Sequence, residues 1–122
     1  MGSILHTGVD MIEVSRLREA IERHGDRFLR RIYTDAELKE LKGNLPSLAA
    51  RFAGKEAVAK ALAIGIGDLS WQEVEILRGP HREPVLHLYG AAQTIADKRG
   101  IKNWAISLSH THEHALAFVV AT

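Results

Sequence analysis

One alanine-rich segment, from residue 46 to residue 64, constrains the fold more than any other part of this sequence. It begins at Pro46, carries seven alanines between Ala49 and Ala63, and is followed by Gly65-Ile66-Gly67. Proline is well tolerated in the first turn of a helix, and alanine is the strongest helix former. Alanine also leaves room for another backbone to approach closely. The segment therefore predicts the longest helix of the chain, and the glycines predict its end.

Capping residues predict three shorter helices ahead of this segment. Ser15 is the expected N-cap of the first helix, which Gly25 ends, and Asp26 begins the second. Thr34 and Glu37 form the Thr-x-x-Glu pattern of a capping box, which predicts the start of the third helix. Between its first strand and the alanine-rich segment, the chain is therefore predicted to be helical.

Five apolar segments bounded by turn residues predict β-strands. They cover residues 4–12, 71–77, 85–89, 104–109 and 115–121. In the second segment Val74 and Ile76 alternate with glutamates, as expected for a strand with one buried face. Short turns join neighbouring strands, whereas the helices, which include one over residues 90–99, are grouped separately. This arrangement predicts an α+β fold with an antiparallel sheet, in one domain over residues 1–122.

The composition excludes several classes of protein and site. The chain has no cysteine, which removes disulfides, thiolate nucleophiles and cysteine-based metal sites and suits a reducing cytoplasm. A net charge of +1 argues against nucleic-acid binding over the whole surface. No apolar run is long enough to span a bilayer, and residues 1–6 lack the basic and apolar regions of an export signal. We therefore expect a cytoplasmic protein that binds neither nucleic acid nor membrane.

An acidic residue follows a glycine near the start of the chain. Gly8-Val9-Asp10 lies at the expected end of the first strand, where it runs into a loop. Glycine there would let a ligand approach the backbone, and a carboxylate at a strand end is suited to binding Mg²⁺. The simpler alternative is a polar turn residue that caps the following helix.

Charged residues cluster on the alanine-rich helix. Those with potential chemistry are Arg51, Lys55, Glu56 and Lys60. Glu56 and Lys60 are four residues apart and therefore share a helix face with Phe52, while Arg51 and Lys55 lie to one side. A carboxylate and several cations in this arrangement could hold a metal ion and the phosphates that it bridges. The alternative is an exposed Glu56–Lys60 ion pair without function.

Histidines and hydroxyl groups meet in the predicted hairpin between the last two strands. His110, His112 and His114 alternate along the chain and could bind zinc, although a tight turn would break the alternation. A single functional histidine at position 110, with Ser109 beside it, is better suited to binding a phosphate.

The segment from residue 16 to residue 31 is locally basic in an otherwise nearly neutral chain. Its six arginines are Arg16, Arg18, Arg23, Arg27, Arg30 and Arg31. Such a surface suits docking of an acidic protein partner, and the alternative is a solvated helix face.

Several segments, in this order and spacing, resemble one family: bacterial holo-[acyl-carrier-protein] synthases, the single-domain 4′-phosphopantetheinyl transferases. The resemblance covers nearly the whole chain and rests on Arg16 and on residues 8–13, 33–38, 51–57, 60–61, 65–67 and 107–111. The most specific set combines Asp10, Lys55-Glu56-Ala57 with Lys60, and Ser109-His110. It implies the 4′-phosphopantetheinyl transferase fold and transfer of 4′-phosphopantetheine from coenzyme A to a serine of apo-acyl carrier protein, in support of fatty acid biosynthesis.

The resemblance implies a magnesium-dependent reaction with two carboxylate ligands. Asp10 and Glu56 would hold Mg²⁺, and Lys60 would steady the leaving phosphate, so that these three residues form the expected catalytic set. The larger two-domain relatives carry a third carboxylate two residues after the first, where this chain has Ile12, and a water would take its place. The base that accepts the serine proton is either Glu56 itself or a metal-bound water.

The resemblance also assigns binding residues and an assembly. The residues expected to contact coenzyme A are Arg51, Lys55, Lys60, Ser109 and His110. Members of the single-domain class are homotrimers with sites between subunits, so Ser109 and His110 would serve a neighbour's site. The acidic carrier protein would dock on Arg16, Arg18 and Arg23.

One turn departs from the family pattern. Relatives often have Gly-Lys-Pro before the strand at Val85, whereas this chain has Arg82-Glu83-Pro84. The proline is kept, while the flexible glycine and the cation are lost. We therefore assign Glu83 no site role and carry over no coenzyme contact at this turn.

Two other functions are compatible with the same residues. A magnesium-dependent hydrolase of a nucleotide pyrophosphate would use the same metal and cations, with water in place of the serine. A noncatalytic carrier-binding scaffold would use only the arginine-rich helix, and it would not need Asp10, Glu56 and Lys60 together.

Overall fold

The computed structural model describes residues 4–122, which form five strands and five helices connected in part by two single 3₁₀ turns. In chain order they are β1 (His6–Glu13), α1 (Val14–His24), α2 (Asp26–Ile32), α3 (Asp35–Leu41), α4 (Leu45–Ala61), the 3₁₀ turns Ile66–Asp68 and Trp71–Glu73, β2 (Val74–Arg78), β3 (Pro84–Leu88), α5 (Gly90–Lys98), β4 (Trp104–His110) and β5 (His114–Ala121).

The strands form two separate antiparallel sheets. One has three strands in the order β1-β5-β4, and the other is the β2-β3 hairpin. The central helix α4 packs on β1 and β5 and buries Ala53, Ala57 and Ala61 against a core that includes Val119. Helices α1 to α3 cover a second apolar cluster at the N-terminal part of α4. The predicted α+β class is confirmed.

The contact between β1 and α4 depends on Gly8. A Cβ atom placed on Gly8 would lie 1.9 Å from the carbonyl oxygen of Ala57 and 3.0 Å from the backbone nitrogen of Ala61. Only glycine permits this approach, since heavy atoms of real side chains stay more than 3 Å apart from such groups. The prediction that Gly8 admits a ligand is therefore wrong: it admits the backbone of α4.

The start of the chain differs from the prediction at two points. Strand β1 continues to Glu13, because its residues pair with β5 along their whole length, so that Asp10 lies within the strand and not in a loop. Ser15 does not cap α1, which begins at Val14. The Val14 N–H instead donates to the Glu113 carbonyl at 2.8 Å, so the β4–β5 hairpin takes the place of a side-chain cap.

Most other helix boundaries follow the predicted capping residues. The Thr34–Glu37 capping box is present, and Gly25 separates α1 from α2. Asn44 caps α4 by accepting from Ser47 N at 3.0 Å, so Pro46 is the second helical residue. Helix α4 ends earlier than predicted, because Ala63 adopts a left-handed conformation with φ 58°.

Three further strand boundaries differ from the prediction. Residues 71–73 form a 3₁₀ turn, so β2 is shorter than the predicted strand. Strand β4 extends beyond its predicted end to His110, and strand β5 begins before its predicted start, at His114.

Within residues 4–122, no helix is long and apolar enough to cross a membrane. The segment for which we expect no export signal lies partly outside the described residues, since it includes residues 1–3.

Candidate functional site

Two acidic side chains from distant parts of the sequence line the same cavity. Asp10 lies on the face of β1 that also carries Gly8, and that face packs on α4, which carries Glu56. Together they border a cavity of about 400 Å³ that is also lined by apolar residues, which include Phe28 and Phe52. The close Gly8–α4 contact therefore brings Asp10 and Glu56 to one site.

The electrostatics of Glu56 reflect this arrangement. Partial burial raises the pKa of the Glu56 carboxyl, and the negative charge of Asp10 raises it further, while Lys60 acts in the opposite direction. Two carboxylates that repel each other at a partly buried cavity favour a bound cation. Asp10 and Glu56 are thus the residues that could hold a divalent ion, for which oxygen ligands are suited.

Lys60 completes the predicted set. Its ammonium nitrogen donates to Asp10 Oδ1 at 3.1 Å and to the Val9 carbonyl at 2.9 Å, and its side chain remains 53% exposed. The ion pair therefore crosses from helix to strand, contrary to the alternative of a pair between Lys60 and its helical neighbour Glu56. The side chain can also reach a ligand in solvent, because half of its surface is free.

Lys55 lies elsewhere, and its predicted contact with coenzyme A is inconsistent with its position. The side chain is fully buried. Its nitrogen donates to Glu37 Oε1 at 2.8 Å, to the Trp71 carbonyl at 3.2 Å and to the Val74 carbonyl. Sequence spacing could not reveal this burial, because the partner carboxylate comes from a different helix.

Arg51 borders a second, cationic cavity of about 190 Å³. The other charged or titratable residues at its wall are Arg78, Arg82 and His110. Arg51 is largely buried, and its Nε donates to the Ile76 carbonyl at 3.1 Å. Burial lowers the pKa of Arg51, the nearby Glu40 opposes this shift, and Arg78 adds to it. Several cations converge here, which favours an anionic ligand.

Arg82 was missed by the sequence reasoning. It adopts a positive φ of 66°, a conformation that glycine takes more readily. Glu83 shapes the same turn, because its Oε2 accepts from the His81 N–H at 2.8 Å. The turn therefore keeps a cation next to Arg51, although the pattern had indicated its loss, and Glu83 has a structural role there.

Ser109 and His110 are not close to the Asp10 cavity within one chain. Ile106 and Leu108 of β4 pack on the core, so Ser109 lies on the outer face of the sheet, away from α4. His110 borders the cationic cavity instead. In the described part of the chain, no three His, Cys, Asp or Glu side chains are placed to hold a metal ion, which argues against the zinc alternative for the hairpin.

The three arginines expected to dock a carrier are all exposed. Arg16 borders the cavity of Asp10 and Glu56. Arg18 borders a neighbouring cavity with His112 and His114, and Arg23 lies in the last turn of α1. Arg16 and Arg23 are seven residues apart and share one face of α1 at the acidic site, whereas Arg18 lies on a different face.

Comparisons with known proteins agree with this geometry. Residues 6–119 match the family model of the 4′-phosphopantetheinyl transferase superfamily. A holo-[acyl-carrier-protein] synthase of Dehalococcoides mccartyi is 51% identical over 118 residues, which cover 97% of this chain and 98% of that protein. Another from Herpetosiphon aurantiacus is 44% identical over 124 residues, with 96% and 98% covered.

Solved structures show the same fold. The Helicobacter pylori holo-[acyl-carrier-protein] synthase in complex with coenzyme A matches with a TM-score of 0.87 and 32% identity, covering 95% of this chain and 99% of that one. The Neisseria meningitidis enzyme matches with a TM-score of 0.86 and 34% identity, covering 96% and 97%. From its sequence and its fold, the chain belongs to the holo-[acyl-carrier-protein] synthase family within the 4′-phosphopantetheinyl transferase superfamily.

Proposed function

We propose that this chain transfers 4′-phosphopantetheine from coenzyme A to a serine of apo-acyl carrier protein, in support of fatty acid biosynthesis. The products are holo-acyl carrier protein and adenosine 3′,5′-bisphosphate. The observation that carries the proposal is the shared site of Asp10, Glu56 and Lys60, in a chain whose relatives over nearly its full length are holo-[acyl-carrier-protein] synthases.

The reaction is proposed to depend on Mg²⁺ held by Asp10 and Glu56. Two carboxylates that border one cavity fit this ion, which proteins usually hold through one or two carboxylates. When bound, Mg²⁺ neutralises charge on the phosphates of the substrate. Ile12 offers no third carboxylate, so the protein would supply two ligands.

The chain's own side chains account for the other parts of the transfer. Glu56 borders the cavity that would receive the carrier serine, and either its carboxylate or a water held at the site accepts the serine proton. The serine oxygen bonds to the phosphorus that carries pantetheine. The bond from that phosphorus to the bridging oxygen of the pyrophosphate breaks, and this oxygen leaves with adenosine 3′,5′-bisphosphate. Lys60, exposed beside Asp10, faces the negative charge that develops on the departing bisphosphate.

The cationic cavity is proposed to bind phosphate groups of coenzyme A. Arg51 is held in place by the Ile76 carbonyl and by Glu40, whose carboxylate lies 3.5 Å from it. Arg82 and His110 border the same space. A fixed guanidinium is well suited to phosphate recognition, because its donors form a rigid fork.

A homotrimer with sites between subunits is proposed from the family resemblance, with its interface on the outer face of the three-stranded sheet. Four of its residues are large, apolar and exposed: Val9 at 51%, Met11 at 65%, Leu116 at 40% and Phe118 at 45%. Val9 pairs with Phe118 and Met11 with Leu116, so they form one continuous patch. Such patches mark protein interfaces, and Ser109, paired with Leu116, lies at this one. Ser109 could therefore reach a neighbouring subunit's site.

Phe118→Glu is expected to dissociate this assembly, because a charge in the centre of the patch would have to be buried without a partner. Sedimentation velocity should show a trimer for the original chain and a monomer for the variant, with loss of carrier loading. His87→Glu adds the same charge on the exposed part of β3 and should leave the trimer intact. A monomeric original chain, or a trimeric Phe118→Glu variant, would exclude this interface.

Carrier docking is proposed on the exposed arginines of α1. Arg16, Arg18 and Arg23 are exposed on it, and Arg16 also borders the cavity that contains Asp10. An acidic carrier bound there would place its serine beside the two carboxylates. Charge pairs at the rim of an interface mainly speed association, so this docking should weaken with salt.

Carrier loading measured with and without chelator tests the proposed function. Incubation with coenzyme A, Mg²⁺ and an apo-acyl carrier protein should add one phosphopantetheine mass to the carrier, and EDTA should stop it because two carboxylates alone leave the phosphate charge uncompensated. Release of free phosphopantetheine without a carrier would favour the hydrolase alternative. The scaffold alternative would be favoured if the carrier binds in a salt-sensitive way, if EDTA does not affect this binding, and if the carrier gains no mass.

Two expectations from the sequence stay predictions. A single domain over residues 1–122 would unfold in one cooperative transition, which calorimetry can check. The cytoplasmic location suits a chain without cysteine, and cell fractionation can check it.

A further inference from the structure

We propose that Lys55 is a positioning residue for the transfer, which sets Glu56 against Asp10 through a buried ion pair with Glu37. This inference rests on the proposed function. Lys55 precedes Glu56 on α4, yet its side chain is fully buried and has no access to a substrate. Any role in the reaction must therefore act through the protein.

The ion pair joins three elements at one point. The Lys55 nitrogen donates to Glu37 Oε1 of α3 at 2.8 Å. It also donates to the carbonyl of Trp71, in the 3₁₀ turn before β2, and to that of Val74, the first residue of β2. Glu37 Oε2 accepts from the Ile76 N–H of β2 at 3.0 Å. The Lys55 ammonium and the Glu37 carboxylate thus connect helix α4 to α3 and to β2 through hydrogen bonds in the core.

Two contacts that hold α4 in place involve the residues immediately before and after Glu56. On one side Ala57 touches Gly8 of β1, and on the other Lys55 holds Glu37. Neighbouring helix residues are about 100° apart around the axis, so these contacts restrain both rotation and sliding of α4. Glu56 lies between them in sequence and faces the β1 carboxylate as a consequence.

Net stability is a poor explanation for this pair. Burying two charges costs about as much free energy as their attraction returns, and apolar replacements of similar volume are often as stable. What a fully hydrogen-bonded buried pair provides is one defined geometry. That geometry matters here because a small displacement of a catalytic group can cost about a hundredfold in rate.

The test replaces both charges together. In Lys55→Met/Glu37→Gln, methionine keeps much of the lysine volume, and the glutamine amide can donate to a carbonyl that Lys55 leaves. We expect kcat for carrier loading to fall about a hundredfold per folded molecule, with the KM for coenzyme A changed less than about threefold. Mn²⁺ binding followed by electron paramagnetic resonance should weaken about tenfold, because its two carboxylate ligands lose their alignment.

Ile101→Ala is the matched control. It removes volume from the buried core after α5 and should lower stability without touching α4's ion pair. Its kcat and Mn²⁺ affinity, corrected for the folded fraction by near-UV circular dichroism, should equal those of the original chain. If the double variant does not fold, Glu37→Asp, which keeps both charges but shortens the reach of the carboxylate to Lys55, is read in the same assays.

The outcomes separate the inference from the function on which it rests. If the original chain loads no carrier, the proposed function fails first. If the original chain is active and the folded variant keeps its kcat and Mn²⁺ affinity, Lys55 has no positioning role. A fall in kcat that only follows the folded fraction, as in Ile101→Ala, overturns the inference as well.

Discussion

Asp10→Ala and Glu56→Ala should each abolish carrier loading, by about a thousandfold or more, without unfolding the chain. Both side chains border one cavity, and the negative charge of Asp10 raises the pKa of Glu56. Removing either would leave a single carboxylate to hold the divalent ion and would take away the charge compensation that phosphoryl transfer requires. Mass spectrometry of the carrier measures loading, and circular dichroism confirms the fold.

Glu56→Gln tests the charge of Glu56 separately from its size, because glutamine keeps the size of the side chain and removes its charge and basicity. It should be nearly as inactive as Glu56→Ala. Asp97→Asn, which changes an exposed carboxylate on α5, serves as the control and should load the carrier at the original rate. Near-original activity in any Asp10 or Glu56 variant would remove that residue from the site.

Gly8→Ala should destabilise the protein by about 3 kcal/mol or more and should also reduce loading of the molecules that remain folded. The added methyl group would lie 1.9 Å from the Ala57 carbonyl oxygen, which belongs to a backbone and cannot rotate away. Strand β1 and helix α4 must then separate, and this separation moves Asp10 away from Glu56. Urea denaturation measures the loss of stability, and loading per folded molecule measures the loss of alignment.

Gly67→Ala is the control for this substitution. A Cβ atom at Gly67 meets no atom within 4 Å, and its backbone is not left-handed. Its unfolding free energy should therefore stay within about 1 kcal/mol of the original value. A Gly8→Ala protein as stable as Gly67→Ala would show that β1 and α4 tolerate a wider spacing than the structure indicates.

The elements that local chemistry specifies were predicted well. Pro46 and the seven alanines indicated α4, and the Thr34–Glu37 pattern indicated the start of α3. Both patterns act within a few residues of the chain, so sequence alone contains the cause. The grouping of Asp10, Glu56 and Lys60 came from family resemblance, and the structure brings these three residues together.

The errors came from contacts between distant segments. Ser15 has the chemistry of an N-cap, but the carbonyl of Glu113 satisfies the start of α1 instead. Lys55 was expected to contact coenzyme A, whereas its side chain is buried in the core in an ion pair with Glu37. Arg82 takes a backbone conformation that its side chain does not favour, which only the surrounding turn explains. For Ser15 and Lys55 the deciding partner lies far away in sequence, whereas for Arg82 it is the turn itself.

The small side chains along β5 have a consequence for mutational tolerance. Ala115, Ala117 and Ala121 are buried on the face of the central strand that meets α4. Ala117 also pairs directly with Asp10. A larger residue at position 117 would lift the helix from the sheet at the level of the acidic pair. These buried alanines take no part in the reaction. They should nevertheless accept few substitutions when random libraries of this protein are selected for growth.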